Sequence, residues 1–306
     1  MRPALKSGLL PVWRDRDTVQ IGIDPRRAVA LSGMRQAAEL IGLLDGSRDR
    51  DDLVAAAAGR GVPATATERI LSLLAANGAL DDVPASLLRS LPPEQRGRLG
   101  AELATASVAY GHCDGGARAI ARRRSAMVSI DGERRIARAI GRALASSGVG
   151  QLRLGRPPGT GRRSPDLVIL AGHQPQQAAD QLVSERVPHL AVWAGEAIGV
   201  VGPLVLPGRS ACLRCLHYIR ADGDPSWPLI LAQLASRKPD PPACGAVLAA
   251  LVAAQAAAQA LLAIDTTPDV SAVANGTLEI VLPDWQWRRR TWPPHPACPC
   301  AAHTAG

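Results

Sequence analysis

A chain of 306 residues, 47% of them hydrophobic, is long enough for two domains and apolar enough to give each a core. Phe is absent and aromatics make up 3%, so those cores are aliphatic. The net charge of +8 points to an acidic partner, and nucleic acid is disfavoured because no aromatics are interleaved to stack on bases.

Six cysteines, four of them in metal-like pairs, fit a reducing cytoplasm better than a disulfide scaffold, and Met1 to Gly22 is too charged for a signal peptide. From Leu9 to Ile23 the chain reads strand, charged turn, strand. Val19, Ile21 and Ile23 alternate onto one face of the second run, which predicts a hairpin. Three short helices are expected next. The first covers about Met34 to Leu44 and the second about Arg50 to Ala58, with Asp51 and Asp52 in its first turn. Pro63 with Thr65 or Thr67 as cap opens the third, which Asn77-Gly78 ends.

A hairpin with three helices, over residues 1–83, is winged-helix-like in outline. Its third helix carries Arg69 as the only base, beside Glu68, too few cations for a phosphate-lined groove. It is then either a plain packing domain or a peptide-recognition element. In the second case a guest strand adds beside Val19, Ile21 and Ile23, with Arg69 and Leu73 lining the groove.

Residues 84–116 read as a helical connector, broken at Pro92-Pro93 and loosened at Gly115-Gly116. Twelve arginines between Arg118 and Arg163 stand against Asp131 and Glu133, either as a solvated helix face or as a patch for an acidic peptide or phosphate. Residues 117–306 then follow an α/β pattern. A strand at about Ala126 to Ile130, a helix from Glu133 to Ser147 and a strand from Val149 to Leu154 make a β-α-β unit, hence a parallel, Rossmann-like sheet. Further strands are expected at Asp166 to Leu170 and His189 to Trp193, with a helix from Gln174 to Ser184 between them.

A nucleotide site needs glycines at the first strand-to-helix turn. That turn reads Asp131-Gly-Glu-Arg-Arg-Ile136. Only Gly132 is present, Glu133 sits where phosphate would approach, and Leu154-Gly-Arg-Pro-Pro lacks an acidic ribose ligand. ATP is therefore not expected and no catalytic residue is assigned. Gly132, Arg134 and Arg135 are the residues that would hold a nucleotide if one bound.

Gly202-Pro-Leu-Val-Leu-Pro-Gly208 predicts a short strand and turn before Cys212-Leu-Arg-Cys215. Two thiolates at that spacing can meet one metal, although a lone pair is equally a redox dithiol or two packed cysteines. A second pair closes His295-Pro-Ala-Cys-Pro-Cys300. Cys212, Cys215, Cys298 and Cys300 together are the ligand complement of a structural zinc with no open position. Should the tight Cys298-x-Cys300 spacing keep one sulfur out, His295, His217 or Cys244 stands in reserve.

The rest is mostly helical. Trp227 to Arg237 is one helix, and Cys244 to Ile264 is an alanine-rich one, read as buried rather than membrane-spanning because of Gln255 and Gln259. Cys244 reads as a packed residue, not a nucleophile. Val273 to Leu282 predicts a hairpin around Asn275-Gly276, and Trp285 to Trp292 an edge strand charged by Arg288, Arg289 and Arg290.

Gly141 to Gly150, followed by a strand, resembles the first helix and second strand of ThiF-like proteins, whose fold is shared with ubiquitin-activating enzymes. Gly202 to Gly208, the Cys212 and Cys215 pair, Asp224-Pro-Ser-Trp-Pro228 and His295 to Cys300 resemble a narrower group. This is the ThiF-like leader-peptide-binding component of azoline-forming cyclodehydratases in bacteriocin-type ribosomal peptide biosynthesis. The resemblance covers about Ser125 to Cys300. It implies structural zinc on the four cysteines, a precursor leader peptide bound to an N-terminal winged-helix element by strand addition, and ATP-dependent chemistry carried by a YcaO-type partner. The rival readings are an ATP-dependent ThiF-like adenylyltransferase and a winged-helix DNA-binding regulator. A homodimer is compatible with each.

Overall fold

Residues 1–32, 35–82, 93–155, 164–172, 176–236, 243–266 and 271–300 are described by the computed structural model. The chain divides into two units, Met1–Ala121 and Arg122–Gly306.

In the first unit β1 (Pro3–Leu5) pairs antiparallel with β5 (Leu80–Asp82). A separate antiparallel sheet has the order β2 (Pro11–Trp13), β3 (Thr18–Ile21), β4 (Val29–Ser32). The expected hairpin is β2 and β3. The third strand was not expected, because only Val29 and Leu31 turn inward from β4 and two apolar residues make too short a pattern to stand out.

Among the described residues, α1 (Arg35–Ile41), α2 (Arg50–Ala58), α3 (Ala64–Ala76) and α4 (Pro93–Tyr110) accompany these strands. Met34 and Pro92 lie outside the described residues. Asp49 caps α2 by accepting the Asp52 N–H at 3.0 Å. The expected threonine cap on α3 is corrected: Pro63 is the N-cap, and Thr67 lies buried inside the helix with its hydroxyl unpartnered. Val19, Ile21 and Leu31 of the sheet pack with Leu40, Leu53, Ile70 and Leu74 of the helices.

Lys6, 1% exposed, ties β1, β5 and α4 together. Its Nζ donates to the carbonyls of Ser107 (2.6 Å) and His112 (3.0 Å) and pairs with Asp81 at 3.2 Å. A buried ammonium is tolerable only with such a set of partners.

The second unit follows α5 (Ala117–Ser125), within which the division falls. In chain order come β6 (Met127–Gly132), α6 (Arg134–Ser146), β7 (Gln151–Leu154), β8 (Leu167–Ala171), α7 (Gln176–Ser184), β9 (His189–Gly195) and β10 (Ile198–Val205). Then come α8 (Leu213–Gly223), α9 (Trp227–Ser236), α10 (Ala246–Asp265), β11 (Gly276–Val281) and β12 (Gln286–Thr291). Seven strands form one sheet in the order β12-β11-β10-β9-β8-β6-β7.

The sheet is mixed, which corrects the expected parallel one. β7, β6, β8 and β9 run parallel, and β10, β11 and β12 continue antiparallel. The reversal is a two-residue turn at Glu196 and Ala197, both left-handed (φ 52° and 59°), a hairpin that no Asn-Gly or Asp-Gly signals. The hairpin expected around Asn275-Gly276 is also displaced. β11 starts at Gly276 and turns into β12 near Trp285, whose φ is 57°.

Helices cover both faces. α6 and α10 pack on one through Ile136, Ile140, Val252 and Ala256, while α7, α8 and the four cysteines lie on the other with Leu182, Leu216 and Trp292. Among the described residues α10 is the one helix long and apolar enough to cross a membrane, and its Leu248, Val252, Ala256 and Ala260 are packed in the core. Arg123 and Asp265, almost wholly buried, pair at 2.6 Å and lock α5 to the end of α10.

Candidate metal centre and peptide-binding edge

The turn after β10 passes through Gly208 in the left-handed region (φ 79°) and delivers Cys212 to the N-cap of α8 and Cys215 to its first turn. The segment after β12 brings Cys298 and Cys300 to the same place. The four Sγ atoms lie within 4.8 Å of one another. Cys212 is 3.8 Å from Cys215, 3.6 Å from Cys298 and 3.3 Å from Cys300, and Cys215 is 3.2 Å from Cys300. Four thiolates around zinc at about 2.3 Å stand roughly 3.8 Å apart, a spacing that the separations of 3.2 to 3.8 Å and the 4.8 Å bound on the set bracket. All four are free thiols, so no disulfide competes.

Their protonation is mutually dependent. A hydrogen bond from Cys212 pushes the Cys215 thiol down to about 4. The same bond, with burial, holds Cys212 far above the usual thiol range. Burial first, then the bond to Cys215, pushes Cys300 up to about 12. One thiolate is thus favoured and further ones are opposed, until a dication supplies the missing charge.

The reserve ligands are otherwise engaged. Nε2 of His295 meets Asp222 at 2.9 Å while its ring stacks on Tyr218. His217 accepts from Trp227 Nε1 at 3.2 Å, and burial pushes it down to about 4. Cys244 is outside the cluster, and burial raises its thiol.

Sequence reasoning missed a residue that braces this centre. Asn275 accepts the Ala211 N–H through Oδ1 at 2.7 Å and the Trp292 N–H through its carbonyl at 2.9 Å. It therefore joins the segment before Cys212 to the one before Cys298. The Asn-Gly pair was its only signal, and it reads more naturally as a hairpin turn.

At the C-terminal end of β6 lie the residues that would hold a nucleotide. A Cβ on Gly132 (φ 118°) would lie 1.8 Å from the Ala171 carbonyl oxygen, so this glycine permits β6 and β8 to approach. Glu133 caps α6, its carboxylate accepting from the N–H groups of Arg135 (2.9 Å) and Ile136 (2.8 Å). Those are donors that a phosphate would use. Arg135 donates to the Cys244 carbonyl at 3.0 Å, and Arg134 is exposed.

The strand expected to border a peptide groove is not an edge strand. β3 is the middle strand, paired with β2 and β4, so neither of its sides can accept a guest. Val19 and Ile21 are 3% and 0% exposed and belong to the core, whereas Ile23 lies beyond the strand, 72% exposed. Arg69 and Leu73 are exposed one turn apart on α3.

Among the described residues the free edges are β2 and β4. The Gly22 N–H donates to the Leu10 carbonyl, so by alternation Pro11 faces outward from β2 and offers no N–H there. The same alternation turns the backbone groups of Ala30 and Ser32 outward from β4.

The sequence matches no protein-family profile and no curated protein. Solved structures do match. A heterocyclase in complex with substrate and cofactor superposes with a TM-score of 0.72 at 18% identity, over 98% of this chain and 39% of that one. The heterocyclase TruD gives 0.69 and 18%, over 98% and 42%. E. coli MccB with MccA-N7isoASN gives 0.69 and 14%, over 98% and 99%. The fold is the one these proteins share. It is consistent with the ThiF-like fold that the motifs between Gly141 and Cys300 resemble, and the chain spans about two fifths of the length of the two heterocyclases.

Proposed function

We propose that the protein is a non-catalytic, leader-peptide-binding component of azoline-forming ribosomal peptide biosynthesis, built on a zinc-stapled scaffold and serving a YcaO-type cyclodehydratase. The observation that carries the reading is the pairing of four converging sulfurs with a nucleotide corner closed by Glu133, in a fold shared with heterocyclases. Cys212, Cys215, Cys298 and Cys300 would hold the zinc, and the ion would supply a structural crosslink with no open position.

The precursor leader adds as a strand to β4, since β2 carries Pro11 at its outward edge. The first unit acts as the winged-helix-like element, with Arg69 and Leu73 supplying contacts from α3. That a solved heterocyclase holds a substrate, and MccB holds MccA-N7isoASN, supports a peptide as the client.

The test is anisotropy titration of a labelled acidic leader peptide against the intact chain. Ala30→Pro removes an outward N–H without touching the β3 ladder and is expected to weaken binding about tenfold or more while the melting temperature holds. No saturation with wild type, or unchanged affinity in Ala30→Pro, removes the reading. Calorimetry with Mg-ATP separates the rival adenylyltransferase, which requires saturable heat near Gly132 and Arg134.

A further inference from the structure

The outer end of the seven-stranded sheet takes no part in either the cysteine cluster or the leader edge. Among the described residues β12 is its last strand and pairs only with β11, and it has five exposed residues and one half-buried, Trp287. Its register sets Arg288 opposite Glu279 and Arg290 opposite Thr277, so both arginines leave the sheet on the face that carries the cysteines, opposite the Leu278 and Ile280 core. Arg288 is tied to Asp284 in its own hairpin, and Arg289 to the Ala272 carbonyl and the Thr291 hydroxyl.

Arg290 and Arg220 are placed differently. The Arg290 guanidinium lies 4.2 Å from the centre of the buried Trp292 ring, and Arg220, from the end of α8, lies 5.4 Å from the same ring and 4.8 Å from Trp227. Neither forms an ion pair among the described residues. Burial, and then the charge of Arg290, lower the pKa of Arg220, with Glu279 opposing. Solvated charges are enough to keep a sheet edge from pairing by accident. A half-buried guanidinium between two indoles, next to a second cation on the same ring, is more than that purpose needs. Such a cluster is stabilised by an incoming carboxylate.

We propose that the free edge of β12 is an interaction surface that takes an acidic, extended segment of a partner protein as an added strand, its carboxylates meeting Arg290 and Arg220. Backbone pairing supplies the register and alternate acidic side chains supply the selectivity. This surface is separate from β4 and does not depend on the leader reading, so its test can fail without touching that one.

The test uses the intact chain and a short fluorescein-labelled peptide of alternating Glu and Val, with its Lys-Val counterpart and a single-stranded oligonucleotide of equal charge as controls. Saturable anisotropy is expected with the Glu-Val peptide alone, about tenfold or more weaker in Arg290→Glu and intermediate in Arg290→Gln. Hydrogen exchange should show the β12 amides gaining protection when the peptide is bound. The proposal is overturned by absence of saturation, by equal binding of the oligonucleotide, or by binding without protection of β12. Zinc content and melting temperature report whether Arg290→Glu folds, and the Arg290→Gln arm decides the matter if it does not.

Discussion

Two corners of the second unit carry polar groups of the kind that bind ligands, and they differ in what those groups face. At the cysteine corner, sulfurs up to 88 residues apart in sequence converge on one point, and beyond the single thiolate favoured at Cys215 their partners are chiefly one another. At the β6 to α6 corner, Glu133 occupies the helix N–H groups and Arg135 reaches the Cys244 carbonyl. Residue type alone does not separate the two, since both hold plausible ligands. Prior commitment does: a donor already bonded within the fold has little left for a guest.

The largest effect that would break this contrast is at the cysteines. Cys212→Ser should drop the metal content from about one zinc per chain to about zero and abolish cooperative melting of the second unit, as strong chelation should in wild type. Elemental analysis and calorimetry check it. Retention of the melt without metal would make the cluster four packed thiols.

Next comes acid sensitivity on the same face of the sheet. His189 is fully buried, donates through Nδ1 to the Val187 carbonyl at 3.0 Å and has no partner for Nε2. Burial pushes it down to about 4 from 6.5, so the folded state favours the neutral ring. Its contribution is complete above pH 6.5 and is lost as pH falls through the window to about 4. That amounts to a loss on the order of 3 kcal/mol. Denaturant melts across this window should be flatter in His189→Leu than in wild type.

Asn275→Ala tests the brace between the two cysteine segments. The Ala211 N–H loses its acceptor, which costs roughly 1–3 kcal/mol, and zinc should exchange faster with a colorimetric chelator. The smallest effect lies at the other corner, where Glu133→Ala removes a cap worth about 1 kcal/mol, read as a shift in urea midpoint. A gain of phosphate affinity in that variant would show that self-capping is what closes the corner.

The elements with strong periodicity were legible in the sequence. α2, α6 and α10 appear where apolar spacing and caps put them, because those signals are local. The four cysteines were legible because two close pairs, not one, supply a full set of metal ligands. The outer strand of the first unit's sheet was not. Alternation at Val19 and Ile21 tells which face of a strand is buried, but the number of strands beside it is a long-range property, and β4 gave too short a pattern to reveal itself. Asn275 was hidden for a related reason: its side chain acts 64 residues away, on Ala211. Glu133 was readable as the wrong charge for phosphate, while its role as a cap needed the helix start to be located.

The spacing of the sulfurs also sets an order of events during synthesis. Cys212 and Cys215 are added to the chain before α9, α10, β11 and β12, and Cys300 follows Cys212 by 88 residues. At translation speeds of about 5–20 residues per second, the first two thiols wait roughly 4 to 18 s for the second pair. Through that interval they are a nascent dithiol, and the four-sulfur site is complete only when nearly all of the sheet has been made.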